Sequence, residues 1–131
     1  MSLKSLTQIG LAAAIIMSTA LGASASERKV FDEKSFAAAQ AQGKPVLVDV
    51  SASWCPTCQA QKPIIDKVSA DPRFKDLTIF EVDFDSRKDV LRKFDARVQS
   101  TLIVFKGGKE TGRSVGSTSE QAIADLLDKA L

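Results

Sequence analysis

The stretch Val46-Leu47-Val48-Asp49-Val50-Ser51-Ala52-Ser53-Trp54-Cys55-Pro56-Thr57-Cys58 decides how the rest of the 131-residue chain is read. Its first five residues are apolar except for Asp49, the pattern of a central strand covered on both faces. A short loop of small residues follows, and then a Cys-x-x-Cys pair opens a helix. Cys55 and Cys58 are the only cysteines in the chain, and two residues between the thiols let them close one small disulfide. At a helix start, unpaired N–H groups and the helix dipole favour a thiolate on Cys55. Pro56 suits the first helical turn, where no N–H is needed.

Toward the N-terminus, Leu3 to Ala25 reads as a targeting segment outside the fold. Lys4 is its only charge, Ile9 to Leu21 is apolar with small-residue interruptions, and Ala23-Ser24-Ala25 is an A-x-A cleavage pattern. The run falls short of the roughly 20 apolar residues of a membrane span; an uncleaved anchor is the alternative. Without a cysteine after the apolar run, a lipoprotein anchor is not expected. The reading is a cleaved signal peptide over residues 1–25, export to the periplasm or an equivalent compartment, and one domain over 26–131. Removal of Lys4 lowers the net charge from +2 to near +1, which suggests neither nucleic acid nor an anionic membrane as a partner.

Along the mature chain, Asp32 to Gln42 reads as a helix stopped by Gly43, and Lys44-Pro45 breaks before the strand Val46 to Val50. The helix from Cys55 carries Ile64, Ile65 and Val68, with a kink expected at Pro63. Leu77 to Val82 is a strand, Asp85-Ser86 a cap for a helix over Asp89 to Phe94, and Thr101 to Phe105 a further strand. Gly107-Gly108 signals a hairpin to Glu110–Val115. Ser117-Thr118-Ser119-Glu120 offers a capping box for a last helix with Ile123, Leu126 and Leu127 inward. With a short strand near Val30, this order predicts an α/β fold: a central mixed sheet flanked by helices on both faces.

Strand, Trp54, Cys-x-x-Cys and helix together resemble the thioredoxin superfamily, and the resemblance covers essentially the whole mature chain. It implies a thiol–disulfide oxidoreductase. Cys55 is then the nucleophile and the more exposed thiol, and Cys58 resolves the mixed disulfide. Trp54 walls the site. Asp49 aligns with the family's buried acid, which handles the resolving cysteine's proton. That role fits the cost of burying a carboxylate in an apolar strand. Glu81 aligns where many bacterial members carry a lysine; close to Asp49 it would raise at least one carboxyl pKa. Ser100 falls where the family carries a cis-proline before its Thr-Leu-x-x-Phe strand. A trans Gln99-Ser100 bond is expected there, because a cis peptide before a non-proline residue costs about 2.5–4 kcal/mol. Gln99 and Ser100 are the expected substrate-docking backbone, with the Ser100 hydroxyl available to Cys55. Proline at position 100 is expected to leave the fold unchanged.

A disulfide this short barely constrains the unfolded chain, which favours redox chemistry over a structural staple. The glycines form no nucleotide motif. With no histidine, the two thiols are too few for a zinc site within one chain. No cofactor and no metal are therefore expected. Electrons should come from another protein, a membrane or periplasmic thiol relay, and pass to exported proteins bearing disulfides or thiols. The segment Asp71-Pro72-Arg73-Phe74 is similar to one in periplasmic domains of membrane thiol-relay proteins. Reduction or isomerisation is favoured over oxidation, because Asp49 places negative charge behind the pair. The alternatives are a non-catalytic binding module of the same fold and a metal-binding protein that uses the cysteine pair, bridging two subunits.

Overall fold

A computed structural model describes residues 25–131; all but the last residue of the segment read as a signal peptide lies outside the described residues. The chain runs through β1 (Glu27–Val30), α1 (Glu33–Ala41), β2 (Val46–Ser51), α2 (Pro56–Ser69), a 3-10 turn (Pro72–Phe74) and β3 (Thr78–Asp83). It continues through α3 (Lys88–Lys93), β4 (Thr101–Lys106), β5 (Lys109–Val115) and α4 (Glu120–Asp128). The five strands form one sheet in the order β1-β3-β2-β4-β5. β3 is parallel to both β1 and β2, whereas β4 is antiparallel to β2 and to β5. The mixed sheet expected from the sequence is present, and the apolar stretch Val46–Val50 lies in its centre.

Strand alternation divides the interior into two cores. Val46, Val48 and Val50 of β2 join Phe36 of α1 and Val90 and Leu91 of α3 on one face. There Phe31, Phe36, Phe80, Phe94 and Phe105 pack ring against ring, with centroids 5.3–5.9 Å apart. Leu47 points the other way, into a core shared with Ile65 and Val68 of α2 and Ile123, Leu126 and Leu127 of α4. Because side chains in a strand repeat every second residue, Asp49 lies on the Leu47 face, beneath α2. By the same count Glu81 follows Ile79, and Arg28, paired in register with Ile79, follows it too. Three charged side chains from three adjacent strands are thus placed under one helix.

Local signals differ from the sequence reading in two caps. α3 begins after Arg87, which makes no side-chain cap bond. Asp83 instead folds the preceding turn, its Oδ1 accepting the N–H groups of Asp85 and Ser86 at 2.8 and 2.9 Å. At α4 the cap is Ser119, whose Oγ accepts the N–H of Ala122, not Ser117. Helix α2 continues through Pro63. Asp71 caps the 3-10 turn, Phe74 is fully buried, and Arg73 pairs with Asp128 at 2.8 Å. That short segment therefore ties the end of α2 to α4.

Candidate active site

The site forms where β2 hands the chain to α2. Cys55 is the N-cap of α2 in extended conformation, and Pro56 is the first helical residue. The Cys55 N–H reaches back to the Ala52 carbonyl at 3.1 Å, closing the small-residue loop tightly enough to seat the sulfur. Cys55 Sγ accepts the Cys58 N–H at 3.1 Å, so the sulfur occupies the position a serine or aspartate oxygen takes in an ordinary helix cap. Helix geometry brings Cys58 one turn on to the same side, and the two residues are joined as a disulfide with Cα atoms 5.3 Å apart.

Exposure reverses the sequence expectation. In this oxidised form Cys55 is 1% and Cys58 7% exposed. Cys55 is covered because the disulfide packs with Ala52 and against the half-buried Phe84. Cys58, by contrast, borders a pocket of about 200 Å³ together with Asp49, Ser51, Ala52, Ser53, Gln59, Lys62 and Glu81.

Asp49 also lines that pocket and is 5% exposed. Cys58, Lys62 and Asp66 recur every four residues along α2 and so form one stripe over the acids of β2 and β3. Arg28 from β1 joins these groups. Its Nη1 donates to Asp49 Oδ2 at 3.2 Å and to Glu81 Oε1 at 2.8 Å, and its Nη2 donates to Asp66 Oδ1 at 2.8 Å. Lys62 Nζ reaches Glu81 Oε1 at 3.3 Å. Burial pushes the Asp49 carboxyl above its usual range, Arg28 opposes the shift, and the Glu81 charge adds to it. Of the two readings open for Glu81, the structure shows the one close to Asp49: the two stand opposite one another in the β2–β3 register, with a guanidinium bonded to both.

Ser100 sits in the turn before β4, buried, at φ +58°. No cis peptide bond occurs among the described residues, so Gln99–Ser100 is trans. The Ser100 hydroxyl donates to the Gln99 carbonyl in this disulfide form, in which Cys55 carries no thiolate. Proline, held near φ −65°, cannot occupy this left-handed position without rebuilding the turn, which overturns the expectation that Ser100→Pro leaves the fold unchanged. Trp54 is 55% exposed and donates its indole N–H to Asp85 Oδ2 at 2.8 Å, so it stands at the surface beside Cys55.

Arg28, Asp66 and Gln61 escaped the sequence reading. Arg28 gave no local signal, because nothing in the sequence announces that β1 lies beside β3. Gln61, 1% exposed, donates to the Ser117 carbonyl at 2.8 Å and, more weakly, to the Ser100 carbonyl at 3.4 Å, tying α2 to the turn that precedes β4. Its place at i−4 from Ile65 on the apolar stripe was the available clue.

A Cys-x-x-Cys disulfide at a helix N-terminus, on a mixed sheet of this order with an acid buried beneath the helix, defines a thiol–disulfide exchange protein of thioredoxin fold. The family model described as Thioredoxin matches residues 27–129. The chain is 34% identical over 101 residues to a thioredoxin of Chlamydia trachomatis, covering 77% of this chain and 96% of that one. It is equally similar, at 34% over 101 residues, to a bifunctional thioredoxin reductase/thioredoxin of Mycobacterium leprae. That match covers 76% of this chain and 22% of the relative. Among solved structures, Trxlp from Edwardsiella tarda superposes with a TM-score of 0.75 at 42% identity, covering 77% of this chain and 98% of that one. Reduced Schistosoma mansoni thioredoxin pre-protein gives 0.66 at 26% identity, covering 82% and 100%. The chain belongs to the thioredoxin family. It is a thiol–disulfide oxidoreductase that exchanges disulfides with protein substrates, and its active site is the Cys55–Cys58 pair.

Proposed function

We propose that the protein is exported and works there as a reductase or isomerase of disulfides in exported proteins, recharged by a membrane or periplasmic thiol relay. The observation that carries the direction is the charge behind the pair: three carboxylates (Asp49, Glu81, Asp66) against two cations, Arg28 and Lys62. Net negative charge disfavours a thiolate at the pair, and strong oxidases depend on a stabilised thiolate in their reduced form.

In the reducing direction the Cys55 thiolate attacks one sulfur of a partner disulfide. A Cys55–partner bond forms, and the other partner sulfur leaves as a thiolate that takes a proton from water. Cys58 then passes its proton to Asp49 and attacks Cys55 Sγ, which breaks the mixed disulfide and releases the second partner thiolate. Two electrons have moved to the partner, and the Cys55–Cys58 disulfide remains. Trp54, exposed beside Cys55, and the backbone of Gln99 and Ser100 are the groups proposed to dock the partner chain.

Equilibration with glutathione buffers tests the direction. The expected potential lies nearer the roughly −270 mV of thioredoxin than the roughly −120 mV of a strong oxidase; a value at the oxidising end rejects the reading. Cys55→Ser should abolish turnover, whereas Cys58→Ser should accumulate the mixed disulfide, visible by non-reducing electrophoresis. Fractionation of cells expressing the full chain, with N-terminal sequencing of the product, tests export and a mature start near Ser26.

A further inference from the structure

We propose that Arg28 is a positioning residue for the exchange reaction, holding Asp49 ionised and fixed in the sheet so that it stands ready to accept the Cys58 proton. The inference rests on the reading of Asp49 as that acceptor, and it assigns a part to a strand remote in sequence from the cysteines.

The groups that face Asp49 come from every element packed around it. β1 supplies Arg28, β3 supplies Glu81, and α2 supplies Cys58, Lys62 and Asp66. β4 opposes Asp49 with Leu102, which carries no charge. Of the two cations only Arg28 bonds Asp49; Lys62 is more than half exposed and rests on Glu81. A buried carboxylate beside a second carboxylate tends to take up a proton. A protonated Asp49 has no place for the Cys58 proton. Arg28 opposes that tendency, and its fork is itself pinned by Glu81 and Asp66, so the guanidinium plane is set by acids on two other elements. A lysine cannot reproduce three such bonds in one plane. When Asp49 accepts the proton, the negative charge passes from its carboxylate to the Cys58 sulfur that attacks Cys55, so the transfer moves charge within the pocket without adding any. The pocket shared by Cys58 and Asp49 gives that proton a route to water afterwards.

The oxidised protein offers a clean measurement, because neither sulfur titrates in a disulfide. The Asp49 carboxyl, labelled with carbon-13, can be followed by NMR over a pH series in the parent, Arg28→Gln, Arg28→Lys and Arg28→Gln/Glu81→Gln. The midpoint is expected to rise by about one to three pH units in Arg28→Gln and less in Arg28→Lys, and to fall back toward the parent value in the double variant. The acidic limb of the disulfide-reduction rate should move with it, while the rate on the alkaline side stays near that of the parent. A merely structural arginine would lower the rate at every pH without moving the limb. An unmoved midpoint in folded Arg28→Gln overturns the proposal; if that variant does not fold, an unmoved midpoint in Arg28→Lys does so. A rate profile unchanged in Asp49→Asn rejects Asp49 as acceptor instead, whatever the NMR midpoints show.

Discussion

Asp49 and Asp83, two register steps apart in the β2–β3 pairing, have opposite linkage to pH. Asp83 accepts two backbone N–H groups and is held below its ordinary value of 3.8, so its contribution to stability is present above that pH and is lost on acidification. Asp49 is pushed above 3.8 by burial. As pH rises past 3.8 the unfolded chain gives up its Asp49 proton first. The folded form then holds the extra proton, and stability falls until the folded carboxyl has also titrated. Asp49→Asn removes this penalty. Its stability relative to the parent should therefore increase as pH rises from 3.8 toward neutrality, and urea midpoints at several pH values check the trend. Cys55, Cys58 and Asp49 were legible because each is chemically conspicuous in its own stretch. Arg28 was not, since its meaning depends on which strand it lies beside. The bond from the Ser100 hydroxyl to the Gln99 carbonyl was not legible, because backbone conformation is invisible in the residue name.

At the scale of elements, strands and helices followed from hydrophobic periodicity and breakers, and their order along the chain was readable. Caps were less so, because Asp83, Asp85 and Ser86, or Ser117 and Ser119, are near-equivalent as residue types and only the path of the chain selects one. Gly112 shows the same limit. In the sequence it looks like one more hairpin glycine, yet a Cβ there would lie 2.9 Å from Leu126 Cδ1 and from Lys129 Cδ, and 3.2 Å from Val104 Cγ2. The absence of a side chain lets α4 settle onto β5. Gly112→Ala should cost about 1–3 kcal/mol, the usual range for overpacking, with Gly112→Val worse. Thermal unfolding checks the order, and α4 amides should lose exchange protection before those of β2.

For the molecule as a whole, two cores on either side of one sheet carry the stability, and the disulfide lies beyond the end of the central strand β2, between it and α2. In the chain-entropy view a loop this short contributes only about 2 kcal/mol, against nearly 5 for a loop of about 100 residues. Reduction should therefore leave a folded protein with nearly unchanged circular dichroism and a modestly lower denaturant midpoint. An enzyme that cycles between both forms requires that tolerance.

Strand β1 is four residues long and is bonded on one side only, to β3. Edge strands of this kind open locally at a small fraction of the global unfolding cost. The cation that faces Asp49 is carried on that strand, so each opening event withdraws it from the active site while the disulfide, the helix and both cores stay in place. Proteolytic trimming or a fusion partner at the N-terminus would then act as a chemical perturbation of the thiols. The reactivity of Cys58 becomes a reporter of fraying more than 24 residues before the first cysteine.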